Sequence, residues 1–428
     1  MITQISLENF KIFTKAAFNL KQITIFIGPN GSGKSSIINA LMLIQQIKNS
    51  NALPLEGENI KLDSAVDLYN IPNRLMTIGL MGKDERERRI LARKNKDIKN
   101  IERTLFSIKA SFINNNLTNL ISDIRSNNIN LKGEIKNGVR SSSEIQIGWR
   151  GGKILVQPEL NIYSPYSVTG HTGNLSESDL QRGINYVSRL AHSIENVMEK
   201  IQFIPANRGF SAPSYPIGVQ PIDHFNITKP AYEYERDLAT TLAYRRDELE
   251  KTISEWTSEI TGIKIRAPLS TGTMVQIKAK RANKTNSKDI KIAYEGFGSN
   301  QLLFILLPLA QSKKRSILVI EEPELHLHPK AQAILTQRLL TESKSREMQL
   351  ILTTHSEHVI SSVLTNIAER TFTPEQIAIY YLNRRGQQVS RKLLDIDTSG
   401  RAKGGLPGFF EANIEEAERH LKALEKQQ

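Results

Sequence analysis

Nine residues near the start of the chain have the types and spacing of a phosphate-binding loop. They read Gly28-Pro29-Asn30-Gly31-Ser32-Gly33-Lys34-Ser35-Ser36 and fit the pattern G-x-x-x-x-G-K-S/T. In such a loop, glycines let backbone N–H groups approach phosphate oxygens, the lysine reaches the β- and γ-phosphates, and the serine binds Mg²⁺. We therefore expect a nucleoside triphosphate with Mg²⁺ to be held by Asn30, Gly31, Ser32, Gly33, Lys34, Ser35 and Ser36.

The sequence on either side of this loop indicates a strand before it and a helix after it. The run Ile23–Ile27 is apolar and of strand length, and Ser36–Ile44 opens an apolar helix. The N-terminus of that helix would add partial positive charge at the phosphates. This strand–loop–helix order supports a phosphate site over an ordinary glycine turn.

A pair of acids about 280 residues further along the chain supplies the second half of a hydrolytic site. The apolar run Ile317–Ile320 reads as a buried parallel strand, and Glu321 and Glu322 follow it. Carboxyl ends of parallel strands meet at one edge of a sheet, so these acids should lie beside the phosphate loop. We expect Glu321 to bind Mg²⁺ and Glu322 to be the general base that polarises the attacking water. An aspartate is usual at the first position, so Glu321 departs from the pattern with a longer reach.

A histidine follows the next predicted strand. The run Leu350–Thr354 is short and mostly apolar, and His355 comes directly after it. The strand position and the order along the chain favour a catalytic residue that contacts the γ-phosphate and senses its loss.

A second glycine- and serine-containing loop precedes the acidic strand. Tyr294–Gln301 opens an apolar helix over Leu302–Leu309, and a loop at a helix N-terminus can bind anions. Two phosphate-facing loops make sense if the second one closes on a nucleotide held by another copy. We expect Ser299 and Gln301 to make that contact; the alternative is a turn that caps a core helix.

In this order, the four motifs resemble those of the ABC-type ATPases of the RecF, SMC (structural maintenance of chromosomes) and OLD group. The opening Ile5–Lys11 looks like the group's first strand, Gly28–Ser36 its Walker A motif and Ile317–Glu322 its Walker B motif. His355 resembles the switch histidine, and Gly298–Gln301 stands where the S-G-G-Q-like signature lies, with departures at the first and third positions. The resemblance implies an α/β fold, an ABC-type P-loop ATPase head with a mixed sheet and flanking helices, which holds ATP and Mg²⁺ between two copies.

More narrowly, the chain resembles bacterial AAA-family ATPases with a short C-terminal domain of unknown function. The matching stretches are Glu321–Pro329, the strand ending Phe203–Arg208, and the tail from Leu382 to Phe410. Relatives of this kind often stand beside a nuclease or toxin gene in anti-phage defence systems. The resemblance therefore implies a nucleotide-driven sensor or scaffold that controls a separate effector protein.

Charge and composition restrict the partners. The chain has 57 Lys and Arg against 44 Asp and Glu, a net charge of +13, which favours a nucleic acid or an acidic protein such as a phage protein. We expect no membrane association, because no run approaches the roughly 18 apolar residues that span a bilayer. The chain has no cysteine, which excludes disulfides and thiol chemistry. With no signal peptide visible, we expect a cytoplasmic protein.

The distance between the two ATPase motifs predicts a divided domain with an inserted helical and β lobe. We expect the ATPase domain to comprise residues 1–80 and 266–375, the insertion residues 81–265, and a small C-terminal module residues 376–428. Within the insertion, Lys83–Arg103 has a helical pattern and Leu131–Ile162 alternates as strands do.

Two further features leave alternatives open. The predicted hairpin at 278–291 carries six basic residues and one acid, typical either of a phosphate-backbone contact or of an edge protected by lysines. Asp395 and Asp397 could belong to an intrinsic nuclease site, although a turn is the simpler interpretation. The alternative functions are a RecF-like DNA-binding repair ATPase and an ATP-dependent assembly scaffold with little turnover.

Overall fold

The computed structural model describes residues 1–46, 68–71, 74–84, 104–113, 116–126, 129–137, 139–140, 145–149, 152–159, 165–222, 231–270, 273–282, 288–386, 388–405 and 419. Its strands are β1 Ile2–Phe10, β2 Phe13–Asn19, β3 Ile23–Ile27, β4 Met76–Asp84, β5 Thr104–Ile113, β6 Asn116–Ser126, β7 Ile129–Lys136, β8 Val139–Arg140, β9 Ile145–Trp149, β10 Gly152–Pro158, β11 Tyr166–Gly173, β12 Ile201–Ile204, β13 Tyr215–Pro216, β14 Ile263–Arg266, β15 Leu269–Ser270, β16 Met274–Val275, β17 Lys278–Arg281, β18 Ile290–Lys291, β19 Ile317–Glu321, β20 Gln349–Thr354, β21 Ile377–Arg385 and β22 Gln388–Leu393.

The described helices lie mainly in the second half of the chain. They are α1 Lys34–Gln46, α2 Glu177–Ala191, α3 Ser193–Met198, α4 Ala231–Tyr244, α5 Lys251–Thr261, α6 Phe297–Gln311, α7 Pro329–Ser345 and α8 Glu357–Ala368. A π-helical turn at Arg246–Glu250 lies between α4 and α5, and 3₁₀ turns occur at Ile292–Tyr294 and Pro374–Gln376. In the part of the chain that the structure describes, none of these helices has the length and apolar character to cross a membrane.

A six-stranded sheet in the order β12-β19-β20-β3-β21-β22 forms the centre of the fold. All neighbouring strands are parallel except the final pair, β21 and β22. Strand β20 lies between β19 and β3, so the strand before His355 separates the strand of the phosphate loop from that of the acids. The predicted α/β fold with a mixed sheet and flanking helices is confirmed.

The central sheet is covered on both faces, which explains why its strands are continuous apolar runs. Alternate side chains enter two different cores: Phe26 and Val319 face one, whereas Ile25 and Leu318 face the other. The first core includes α1 and the N-terminal antiparallel strands, and the second includes helices α4 to α8. Burial on both sides fixes the strand ends at which the motif residues lie.

A second large sheet is antiparallel and begins at the N-terminus. Its order is β2-β1-β4-β5-β6-β7-β8, and a smaller sheet, β11-β10-β9, lies beyond it in the chain. The predicted boundary at residue 80 falls inside β4, which pairs with β1 along Ile2–Glu8. Strands predicted over Leu131–Ile162 are present as β7 to β10. The predicted helix Lys83–Arg103 lies outside the described residues except for its first two, which end β4.

The C-terminal part contributes directly to the central sheet. Strand β21 pairs with β3 from Ile377 to Tyr381, so the predicted module 376–428 begins with a strand of the ATPase sheet. Further on, the Asp397 carboxylate accepts the backbone N–H groups of Ser399 (2.8 Å) and Arg401 (3.0 Å). The interpretation of this segment as a turn is thereby confirmed. The predicted match at 406–410 lies outside the described residues.

Candidate nucleotide-binding site

The phosphate loop connects β3 to α1 and is tightly enclosed. Gly28 has φ +144°, and a Cβ there would lie 2.0 Å from the carbonyl oxygen of Leu382. Gly33 has φ +102°, and a Cβ there would lie 2.6 Å from Cδ1 of Ile12. Both positions require glycine because backbone conformation and space each exclude a side chain. Of the other predicted loop residues, Asn30, Gly31 and Ser35 are exposed, Ser36 is half-buried and Ser32 is buried.

Lys34 is the first residue of α1, and its ammonium lies over the loop. Nζ donates to the carbonyl oxygens of Gly28 (2.9 Å) and Pro29 (3.1 Å), and the residue is only 6% exposed. Burial lowers the pKa of Lys34, and the carboxylates of Glu322 and Glu324 oppose that shift. The ammonium is therefore fixed where it can donate to phosphate oxygens.

Ser35 and Ala206 lie near the Glu321 carboxylate. Burial raises the pKa of Glu321, and the Ser35 hydroxyl and the backbone N–H of Ala206 act against that rise because they favour the charged carboxylate. A hydroxyl beside a carboxylate supplies the oxygen ligands that Mg²⁺ prefers when phosphates and water complete its shell. The pair fits Mg²⁺, and the longer glutamate side chain spans from the end of β19 to α1.

Glu322 occupies a strained position at the end of β19. Its φ of +44° is in the left-handed region, which costs a non-glycine residue about 1–2 kcal/mol. Its backbone N–H donates to the Thr353 carbonyl oxygen at 3.0 Å, which ties the acid to β20. In this conformation the Glu322 carboxylate lies toward His355, with Oε1 3.6 Å from Nε2 of the imidazole.

His355 completes the cluster. Burial, and secondly the charge of Lys34, lower the pKa of His355 below its ordinary value. The imidazole is therefore neutral near pH 7 and approaches Glu322 as a polar neighbour rather than as a fixed cation. The structure thus brings the predicted residues Lys34, Glu322 and His355 together at one edge of the sheet.

Arg208 is a site residue that the sequence did not assign a role. Its guanidinium donates to three carbonyl oxygens: Nη1 to Pro205 (2.7 Å) and Glu321 (2.8 Å), and Nη2 to Glu322 (2.8 Å). The residue is 7% exposed, and burial lowers its pKa to about 10, so it stays charged at pH 7. Arg208 therefore clamps the backbone of both acids from the end of β12. Its signal in the sequence was the P-x-x-R spacing after a strand.

Glu324 holds the backbone at the end of β20, much as Arg208 holds the backbone of the two acids. Its Oε1 accepts from Oγ1 of Thr354 (2.7 Å) and from the backbone N–H of His355 (2.8 Å), and the residue is 8% exposed. Burial raises the pKa of Glu324, and these two bonds act against that rise. Glu324 thus fixes the backbone of His355 without belonging to the predicted set. Its signal in the sequence was the third acid of Glu321–Pro329.

The predicted signature loop lies at the start of α6, against the segment after the acids. A Cβ on Gly298 would lie 2.5 Å from the carbonyl oxygen of His326, so the two segments touch. Asn300 is buried and exchanges hydrogen bonds with the backbone of Phe210 at 2.7 and 3.0 Å. Ser299 remains half-exposed, whereas Gln301 is only 8% exposed and turned into the chain's own core. Of the predicted pair, Ser299 is the accessible residue.

Ser299 lines a surface groove of about 600 Å³ that contains no residue of the phosphate loop. Phe297, which is 72% exposed, stands at this groove with its ring 5.6 Å from that of His326. The groove is formed by α5, the start of α6 and the start of α7, and its lining residues are Ser258–Gly262, Gly296–Ser299, His326–His328, Lys330, Ala331 and Ile334.

Together these features define a P-loop nucleoside triphosphatase. A glycine loop with a buried lysine, a serine–carboxylate pair suited to Mg²⁺, and a second carboxylate beside a histidine are the parts that phosphoryl transfer to water requires. The chain matches the AAA ATPase domain family over residues 1–360. It belongs to this family and is an ATPase. No curated protein sequence matches it significantly.

A solved structure agrees with this fold class. An SMC head bound to the C-terminal winged-helix domain of ScpA aligns with a TM-score of 0.50 at 14% identity, covering 93% of this chain and 98% of that one. The SMC head of Pyrococcus furiosus, also bound to a ScpA domain, gives 0.49 at 12% identity and 99% coverage of both chains. The SMC head of Thermotoga maritima gives 0.42 at 12% identity, with 92% and 99% coverage. The first of these likenesses shows that the chain has the fold of an SMC ATPase head.

Proposed function

We propose that this protein is a Mg²⁺-dependent, ABC-type ATPase that holds ATP between two copies of the chain and acts as a nucleotide-driven switch. The observation that carries the ATPase part is the position of Ser35 near Glu321, together with the approach of His355 to Glu322, which follows Glu321 in the chain. Hydrolysis needs a metal site, a positive charge next to the phosphates and a general base in one place, and this cluster contains residues for each.

The roles follow from the positions of the side chains. Lys34 donates to the β- and γ-phosphates, and Ser35 and Glu321 bind Mg²⁺, which supplies charge neutralisation at the phosphates. Glu322 accepts a proton from the attacking water, and neutral His355 hydrogen-bonds the γ-phosphate and reports its loss. Arg208 and Glu324 hold these groups in place through the backbone.

The proposed pairing of two copies rests on the signature loop. Ser299 lies at an exposed groove away from the chain's own phosphate loop, so a nucleotide that it contacts would be held by another copy. The exposed ring of Phe297 at the same groove gives such a contact an apolar anchor. Gln301 would reach a partner's nucleotide only if α6 shifted, since its side chain is buried.

The proposed task is control of a separate effector, a nuclease or toxin, in cytoplasmic anti-phage defence. Support comes from the resemblance of Glu321–Pro329 and Phe203–Arg208 to defence-associated ATPases. An SMC head of similar fold is bound to a domain of a partner protein, ScpA. A head of this shape can therefore carry a second protein, and the +13 charge suits an acidic trigger or effector.

ATP-dependent pairing has a direct test in the Glu322→Gln protein, which should bind ATP and hydrolyse it slowly. With Mg²⁺-ATP we expect its mass by light scattering to double, and Ser299→Arg in the same background to keep it monomeric by blocking the groove. Ser361→Arg, an exposed serine of α8, is the matched control and should still pair. A protein that binds ATP and remains a monomer would contradict the proposed assembly but would leave the ATPase assignment unaffected.

A RecF-like repair ATPase is the second candidate, favoured by the basic strands just before the signature loop. It differs from the first in requiring nucleic acid as the activator of hydrolysis.

A further inference from the structure

One face of the small sheet β14-β17-β18 carries only basic side chains. In its register, Lys264 lies opposite Lys280, and Arg266 lies opposite Lys278, which in turn lies opposite Lys291. These five residues, here called the basic face, alternate with Ile263, Ile265 and Ala279, which are 7%, 1% and 2% exposed on the other side. The apolar side packs into the second core and fixes the strands, so the basic side chains lie on the opposite side of the sheet. There Lys264 and Arg266 are exposed, and Lys278, Lys280 and Lys291 are half-buried.

The register places Lys278 directly opposite both Arg266 and Lys291, so like charges face each other across the strands. Like charges directly opposite each other on neighbouring strands destabilise a sheet. Protection against edge-to-edge aggregation accounts for lysines on the edge strands β14 and β18, but not for Lys278 and Lys280 on the central strand β17. A bound polyanion, in contrast, would be attracted by all five at once.

We infer that the basic face binds the phosphate backbone of double-stranded nucleic acid without reading its sequence. Strands lie about 4.8 Å apart and alternate residues about 6.7 Å apart, which places the five charges in a flat patch on the scale of neighbouring phosphates. No aromatic residue lies among the strands' outward positions, so stacking of single-stranded bases has no platform here. The contact is therefore electrostatic and independent of base identity.

The position of the basic face gives such binding a route to the ATPase. Lys291 immediately precedes the 3₁₀ turn Ile292–Tyr294, and α6 with the signature loop begins at Phe297. A backbone contact at Lys291 thus lies six residues from the loop proposed to close on a second copy's nucleotide. This inference goes beyond the proposed ATPase function, because nucleic acid binding can be measured without ATP.

The test is fluorescence anisotropy of a 30-base-pair DNA duplex of arbitrary sequence with the full chain and no nucleotide. Five phosphate contacts predict an affinity that falls about 500-fold between 50 and 200 mM salt. Replacing Lys264, Lys278 and Lys291 by Gln should reduce the slope of log K against log salt by about 3. The affinity should not depend on the duplex sequence.

The matched control removes the same charge elsewhere. Lys132, Lys313 and Lys392 are exposed and lie on β7, before β19 and on β22, and their triple change to Gln should leave the slope unaltered. Equal loss in both triple variants would assign binding to net charge and overturn the inference. So would an absence of duplex binding at 50 mM salt, or binding of polyglutamate in place of the duplex, which would assign the face to an acidic protein. None of these outcomes affects basal hydrolysis, so the proposed ATPase function is judged separately.

Discussion

Replacing Glu322 by Gln should lower the rate of ATP hydrolysis by about 10²–10⁴-fold while leaving ATP affinity within a few-fold of the original. Glutamine keeps the shape and the backbone contacts of this residue, but it cannot accept a proton from the attacking water. Lys34, Ser35 and Glu321, which hold the phosphates and Mg²⁺ in this account, are unchanged. Steady-state phosphate release and titration with a fluorescent ATP analogue measure the two quantities.

The control for this change is Glu369→Gln, at an exposed position after α8, which should leave both quantities unchanged. Hydrolysis that survives Glu322→Gln at the original rate would show that another group is the base. In cells the same variant separates a switch from a scaffold. If biological activity survives Glu322→Gln but is lost in Lys34→Ala, assembly on ATP suffices and turnover is dispensable.

Replacing Arg208 by Met should destabilise the protein by about 3–5 kcal/mol and lower hydrolysis by about 100-fold. The change leaves the carbonyl oxygens of Pro205, Glu321 and Glu322 without their buried donor. It also removes the cation that offsets the charges of Glu321, Glu322 and Glu324. Urea unfolding measures the free energy of unfolding, and phosphate release measures the activity.

The matched control is Arg182→Met, at a side chain that is 65% exposed and 3.7 Å from Asp179. Its expected effect is within about 0.5 kcal/mol, because exposed ion pairs contribute little. Arg208→Lys serves if the Met variant does not fold. It keeps the charge but loses the planar fork, so it should recover stability more than activity. An Arg208→Met protein as stable and as active as the control would contradict the clamp.

The local motifs of this protein were readable from the sequence because their geometry is set by neighbours in the chain. Glycine spacing and the apolar flanks define the phosphate loop, and a strand that ends in two acids defines its counterpart. The approach of Glu321 to the phosphate loop was expected because parallel strands end at one edge of a sheet. None of these features depends on which strand lies beside which.

The features that could not be predicted from the sequence depend on strand order and packing. Arg208 reaches the acids because β12 pairs with β19. Glu324 reaches His355 because β20 pairs with the other edge of β19. Gln301 fitted a motif, yet it lies in the stretch Asn300–Leu309 of α6, which is buried throughout, and helix packing directs its side chain inward. Predicting the basic face would also have required the register of β14 with β17, because Lys264 and Arg266 lie on a strand more than ten residues before the predicted hairpin.

Phosphate release by the purified full chain, measured with ATP in the presence and absence of Mg²⁺, tests the central claim most directly. We expect hydrolysis that requires Mg²⁺ and disappears in Lys34→Ala, with or without added duplex DNA. The account is contradicted if no condition gives hydrolysis, or if Lys34→Ala hydrolyses ATP as fast as the original protein.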